Sequence, residues 1–119
     1  MKILVVDDDD LSRDAVVDFV GSDLGFSVGE CPSGEEALER LERDAYDLVI
    51  SDVRMPGIQG LELLRRIKAS DRPHTAVVLM TGYADIESVI GALRSGAEDF
   101  IQKPLNIEEL AIIMDRVRE

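Results

Sequence analysis

Ile3, Leu4, Val5 and Val6 form an unbroken apolar run that leads straight into four aspartates, Asp7, Asp8, Asp9 and Asp10. A strand with one wet face would alternate polar and apolar residues, so a β-rich run without alternation has to be covered on both sides. That requirement describes an inner strand of a parallel sheet with helices above and below it. Three more segments have the same character. Residues 48–50 are followed by Ser51 and Asp52, residues 76–80 by Thr81 and Gly82, while Phe100 and Ile101 lead to Lys103 and Pro104. Residues 26–31 alternate less cleanly and read as an edge strand.

Between these runs the apolar spacing changes to the helical period. Asp10 is placed to cap a helix burying Ala15, Val16, Phe19 and Val20. Ser33 and Glu36 have the spacing of a capping box ahead of Leu38 and Leu41. Leu61, Leu64 and Ile67 mark a third helix. Asp85 begins a fourth, with Ile86, Val89, Ile90 and Leu93 on one face and Gly96 as its stop; Asn106 begins a fifth, with Leu110, Ile113, Met114 and Val117. Gly91 interrupts the fourth at a cost of roughly 1 kcal/mol against alanine, which implies either a soft helix or a neighbour packed too close for a side chain. Five strands alternating with five helices predict a doubly wound α/β fold with right-handed crossovers.

A chain of 119 residues, 45% of them apolar, fills one hydrophobic core, so a single domain over residues 1–119 is expected. A formal charge of −12 argues against direct binding of nucleic acid or an anionic membrane, both of which require clustered Lys and Arg. Cys31 is the only cysteine, so neither an internal disulfide nor a thiolate metal cage is available. There is no signal-peptide pattern and no apolar run long enough to cross a bilayer, and a cytoplasmic location is the expectation. Any output domain is expected outside these residues.

In a doubly wound sheet, ligands sit beyond the carboxyl ends of the strands. The residues there are the aspartate run, Asp52, Thr81 and Lys103. Crowded carboxylates repel by about 4 kcal/mol per pair at 4 Å for an effective dielectric near 20, so such a cluster calls for a cation or for lost charge. Oxygen ligands on a site open to one side suit Mg²⁺. A carboxylate can attack phosphorus, and Thr81 and Lys103 can serve the oxygens of the transferred group. Taken singly, Thr81 suits any strand end, Lys103 suits a solvated surface, and the aspartates suit a helix cap with surplus charge. At four strand ends together they describe a site.

The motifs ILVVDD (residues 3–8), YDLVISDVRMPG (46–57), MTG (80–82) and GAEDFIQKP (96–104) make the chain resemble, along essentially its whole length, the receiver domain of bacterial two-component response regulators. The local pattern is similar to receivers that precede transcriptional output modules. The resemblance implies a flavodoxin-like sheet of order 2-1-3-4-5. It also implies that Asp52 is the phospho-acceptor and that Asp8, Asp52 and the Arg54 backbone carbonyl surround Mg²⁺ (or Mn²⁺), with Asp7 contributing indirectly. Thr81 and Lys103 become the phosphate-binding pair, Phe100 the switch aromatic, and Lys103-Pro104 a cis peptide. Arg54 and Tyr83 are expected to govern the lifetime of the phosphoryl group by crowding the attacking water. Implied partners are a sensor histidine kinase, a second copy through the fourth helix, fifth strand and fifth helix, and an output domain or protein controlling transcription. On this reading the chain is a regulatory phospho-acceptor that catalyses only its own phosphoryl transfer and dephosphorylation.

Two departures from the resembling pattern are Gln59, where many relatives carry Asp or Asn, and Gly91. Two rival readings remain open. Val6, Asp7 and Asp9 imitate the nucleophile and acid of a haloacid-dehalogenase-like phosphatase, which would leave Asp52 without a role. The other rival is a receiver-like binding module that is never phosphorylated.

Overall fold

In the computed structural model, which describes residues 1–72, 74–82 and 86–118 and leaves the side chains of Ile86 and Ser88 aside, strands and helices alternate along the chain. They are β1 (Lys2–Val6), α1 (Asp10–Asp18), β2 (Ser27–Cys31), α2 (Gly34–Arg43), β3 (Leu48–Asp52), α3 (Gly60–Lys68), β4 (Ala76–Thr81), α4 (Ile86–Arg94), β5 (Asp99–Gln102) and α5 (Ile107–Arg118). The strands form one parallel sheet of order β2-β1-β3-β4-β5. The doubly wound, flavodoxin-like architecture expected from the sequence is therefore present, with β2 on an edge.

The unbroken apolar strands serve two cores. Ile3 and Val5 of β1 point to the side covered by α1 and α5, with Val16, Phe19, Leu110, Ile113 and Met114. Leu4 and Val6 point to the opposite side, where Ala37, Leu63, Leu64, Ile67 and Ala92 of α2, α3 and α4 meet them. Successive residues of a strand face opposite ways, so the body of a central strand between two helical layers is apolar, and the buried polar residues Ser51, Asp52 and Thr81 fall at the carboxyl ends of β3 and β4.

Several local expectations need correction. Asp9, not Asp10, caps α1: its carboxylate accepts from the Leu11 N–H at 3.2 Å, and Asp10 is the first helical residue. Ala15 is exposed, whereas Val16, Phe19 and Val20 are buried. Phe19 and Val20 lie in a π-helical turn, Phe19–Asp23, that extends α1 and is closed by Leu24 N–H donating to the Phe19 carbonyl. Ser33 caps α2 as expected, accepting from Glu36 N–H, but Leu38 and Leu41 are only half-buried and Ala37 makes the deep contact. Gln59 occupies the N-cap position of α3 without a side-chain hydrogen bond.

On α4 the expected apolar face is divided. Ala92 is fully buried and Val89 half-buried, while Ile90 and Leu93 are 42% and 52% exposed. The expected cap, Asp85, lies outside the described residues. The helix ends as anticipated at Gly96, whose φ of 99° reverses the chain while Ala97 N–H donates to the Ala92 carbonyl. Asn106 caps α5 through Glu109 N–H, and Leu110, Ile113 and Met114 are buried with Val117 half-buried. A Cβ at Gly91 would meet Leu61 Cδ2 at 3.6 Å, an ordinary contact. Among the described residues, close packing therefore does not require glycine there.

Candidate functional site: an acidic cluster bridged by a lysine

The strand order places the ends of β1, β3, β4 and β5 side by side. Asp7 follows β1, Asp52 ends β3, Thr81 ends β4, and Lys103 follows β5. The oxygens of Asp7, Asp8 and Asp52 come within 4.8 Å of one another. Asp7 is fully buried and Asp52 is 8% exposed, whereas Asp8 opens to solvent. The Lys103 ammonium sits between the two buried acids, 3.1 Å from Asp7 Oδ2 and 3.1 Å from Asp52 Oδ2. Within this described cluster, one ammonium faces three carboxylates in a partly buried space.

Burial dominates the electrostatics of this pair. It pushes the Asp52 carboxyl above the ordinary carboxylate range; the hydrogen bond and charge of Lys103 oppose the shift, the nearby Asp7 adds to it, and the Arg54 backbone N–H opposes it again. Burial alone would lower Lys103, but hydrogen bonds to Asp52 and Asp7 outweigh it and the ammonium is held above its ordinary value. The site thus keeps a permanent cation beside a carboxylate that is costly to ionise. Cys31, buried at the end of β2, has its thiol pushed up to about 12 by burial and is no nucleophile at neutral pH.

Local backbone contacts hold the cluster in place. Asp7 N–H donates to the Cys31 carbonyl at 3.2 Å, and Asp7 Oδ1 accepts from Asp9 N–H at 3.0 Å. Lys103 N–H donates to the Thr81 carbonyl at 2.7 Å, tying β5 to β4 one residue before Pro104, and the Lys103-Pro104 peptide is cis. Behind Asp52, Val53 N–H reaches the Met80 carbonyl and Gly60 N–H the Val53 carbonyl, both at 2.9 Å. A Cβ on Gly60 would run into the Asp52 carbonyl, so only glycine lets α3 start this close to the end of β3.

Of the residues anticipated from sequence, Asp7, Asp8, Asp52 and Lys103 converge. Thr81 is buried at the adjacent strand end, with 1% of its surface exposed. Arg54 has an exposed side chain two residues past Asp52. Phe100 is separate from the acids: it is half-buried and packs on the α2, α3 and α4 side of the sheet. Tyr83 lies outside the described residues. Asp9, the acid that the phosphatase reading would use, is engaged as the cap of α1. Gly60 and Arg13, which touches the Asp7 carbonyl, were missed in the sequence reading. The i,i+3 spacing of Asp10 and Arg13 on one helix was the available signal for Arg13.

The profile of the response regulator receiver domain matches residues 3–115. A cyclic di-GMP phosphodiesterase of Thermotoga maritima is 39% identical over 112 residues, covering 94% of this chain and 29% of that protein. The transcriptional regulatory protein FixJ of Bradyrhizobium diazoefficiens is 37% identical over 118 residues, covering 98% of this chain and 57% of that protein. The chain therefore spans less than two thirds of the length of either relative. The crystal structure of a response regulator receiver protein from Pseudomonas putida superposes with a TM-score of 0.91 at 30% identity, covering 97% of this chain and 95% of that one. With an acidic cluster at the strand ends, the expected sheet order and a family match along nearly its whole length, the chain belongs to the response regulator receiver domains.

Proposed function

We propose that this domain is a phosphorylation switch in which Asp52 accepts a phosphoryl group from the phosphohistidine of a sensor histidine kinase. The observation that carries the proposal is the Lys103 ammonium shared between Asp7 and Asp52 at 3.1 Å each, beside the open carboxylate of Asp8. The donor set is all oxygen, negatively charged and open on one side, which fits Mg²⁺ or Mn²⁺. Asp8, Asp52 and the Arg54 backbone carbonyl would hold the ion, with Asp7 acting indirectly; when bound, it supplies charge neutralisation to the phosphoryl oxygens.

An Asp52 carboxylate oxygen attacks phosphorus, the P–N bond breaks, and its electron pair stays on the departing imidazole nitrogen. The product is an acyl phosphate. Lys103 exchanges its carboxylate partner for a phosphoryl oxygen, and the Thr81 hydroxyl turns to another. Drawing in Thr81 opens space beside β4 that Phe100 fills, which remodels the surface of α4, β5 and α5. Exposed Ile90, Leu93 and Ile112 supply apolar contact area on those helices for a second copy or an output partner. Output lies outside these residues and is transcriptional, in a cytoplasmic protein. Arg54 and Tyr83 restrain the attack of water on the acyl phosphate.

Incubation with acetyl phosphate and Mg²⁺, followed by mass spectrometry, tests the reading. One added phosphate on wild type and none on Asp52→Asn is expected. Wild type that stays unmodified would leave a binding module instead.

A further inference from the structure

Arg13 closes the turn between β1 and α1 with three nitrogens on three separate partners. Nη1 donates to the backbone carbonyl of Asp7 at 2.7 Å, Nη2 to Asp10 Oδ1 at 2.6 Å, and Nε to Glu30 Oε1 at 3.3 Å. Asp10 starts α1 and Glu30 is the penultimate residue of β2. The side chain is only 13% exposed. A guanidinium is planar and carries its donors in a fixed fork, so three partners held at once fix one another's positions. The Asp7 carbonyl and the Asp8 N–H belong to one planar peptide unit. Gripping that carbonyl therefore sets the direction in which the chain enters Asp8, the exposed member of the acidic cluster.

We propose that Arg13 is a positioning residue that clamps the peptide between Asp7 and Asp8 so that their carboxylates converge with Asp52 on a divalent cation. The inference rests on the phospho-acceptor reading above. Clamp and charge predict opposite signs. By Coulomb's law alone a guanidinium beside the cluster repels a second cation, and its removal would tighten metal binding. As a clamp, its removal loosens metal binding, because groups that orient ligands are worth roughly tenfold or more in affinity.

Calorimetric Mg²⁺ titrations of wild type, Arg13→Gln and Arg13→Lys separate these possibilities, with thermal unfolding in EDTA as the check on folding. Both variants should bind Mg²⁺ about tenfold more weakly; Arg13→Lys keeps the charge but not the fork. Ile67→Val, which loosens the opposite core, should bind as wild type does. Unchanged or tighter binding by Arg13→Gln overturns the proposal, as does an equal loss in Ile67→Val. Should Arg13→Gln fail to fold, Arg13→Lys decides, and wild-type affinity in that variant overturns it. A wild type that binds no Mg²⁺ would instead remove the phospho-acceptor reading on which the clamp depends.

Discussion

The Lys103 ammonium donates to Asp52 Oδ2 at 3.1 Å across 51 residues of sequence, with β4 lying between β3, which ends at Asp52, and β5, which Lys103 follows. The same nitrogen holds Asp7, so one cation serves two buried acids. An arrangement short of positive charge stores repulsion that a divalent ion or a phosphoryl group can relieve, and its stability should respond to both.

Asp52→Asn should stabilise the metal-free domain at pH 7. The folded-state value of Asp52 lies above the ordinary carboxylate value, chiefly through burial. Its ionisation therefore costs the fold nothing below about pH 4, where the unfolded chain also holds the proton. The cost grows as pH rises from there through the folded value and stays in full above it. A gain on the order of 1 kcal/mol, a few degrees in Tm, is expected at neutral pH and should vanish on acidification. Thermal unfolding in EDTA across pH checks this, and a variant less stable than wild type at pH 7 would contradict it. Lys103 gives the opposite limb: with its folded value raised, its contribution is complete below the ordinary lysine value and is lost only as pH climbs past the folded one.

Mg²⁺ should raise Tm, because only the folded chain assembles the carboxylates. At ten times the dissociation constant the gain is about 1.4 kcal/mol. Asp8 is exposed, so Asp8→Ala should keep its stability in EDTA and lose most of the Mg²⁺ response. A full response in that variant would show that the ion sits elsewhere.

Two glycines should behave oppositely. Gly60→Ala drives a methyl into the Asp52 carbonyl and backbone, and is expected to cost about 1–3 kcal/mol or more. Gly91→Ala meets only Leu61 at 3.6 Å and removes a mid-helix glycine, so a gain of up to about 1 kcal/mol follows. Urea unfolding measures both. Stiffening α4 should also shrink the change in its amide exchange on treatment with beryllofluoride, a readout that Gly60 does not address.

Leu93→Asp combined with Ile112→Asp should leave the unphosphorylated domain within about 0.5 kcal/mol of wild type, because both side chains are more than half exposed. Self-association after phosphorylation, followed by sedimentation, should be lost. A phosphorylated double mutant that still dimerises would move the partner surface away from α4 and α5.

Where the local reading of the chain erred, the reason is consistent. The helical spacing predicts a buried Ala15 and one apolar face holding Ile90 and Leu93, yet Ala15 is exposed and so are those two members of the face. Periodicity shows that a face is apolar but not what covers it. On α4 the sheet receives Ala92 and leaves the larger neighbours outward. Asp9 and Asp10 are equivalent as caps by residue type. Asp10 is instead paired with Arg13, and the cap role passes to Asp9.

The amino-acid sequence by itself determined five strands, five helices and a row of chemistry at the strand ends, because these follow from short-range rules: unbroken apolar runs, a change of period, and residues that stop a strand. Only the tertiary structure decided how Lys103 divides between Asp7 and Asp52, how Arg13 spans β1, α1 and β2, and why Gly60 has to be glycine. Each depends on distances between segments far apart in the chain. When several carboxylates compete for one ammonium, the packing of the strands that carry them selects the pair.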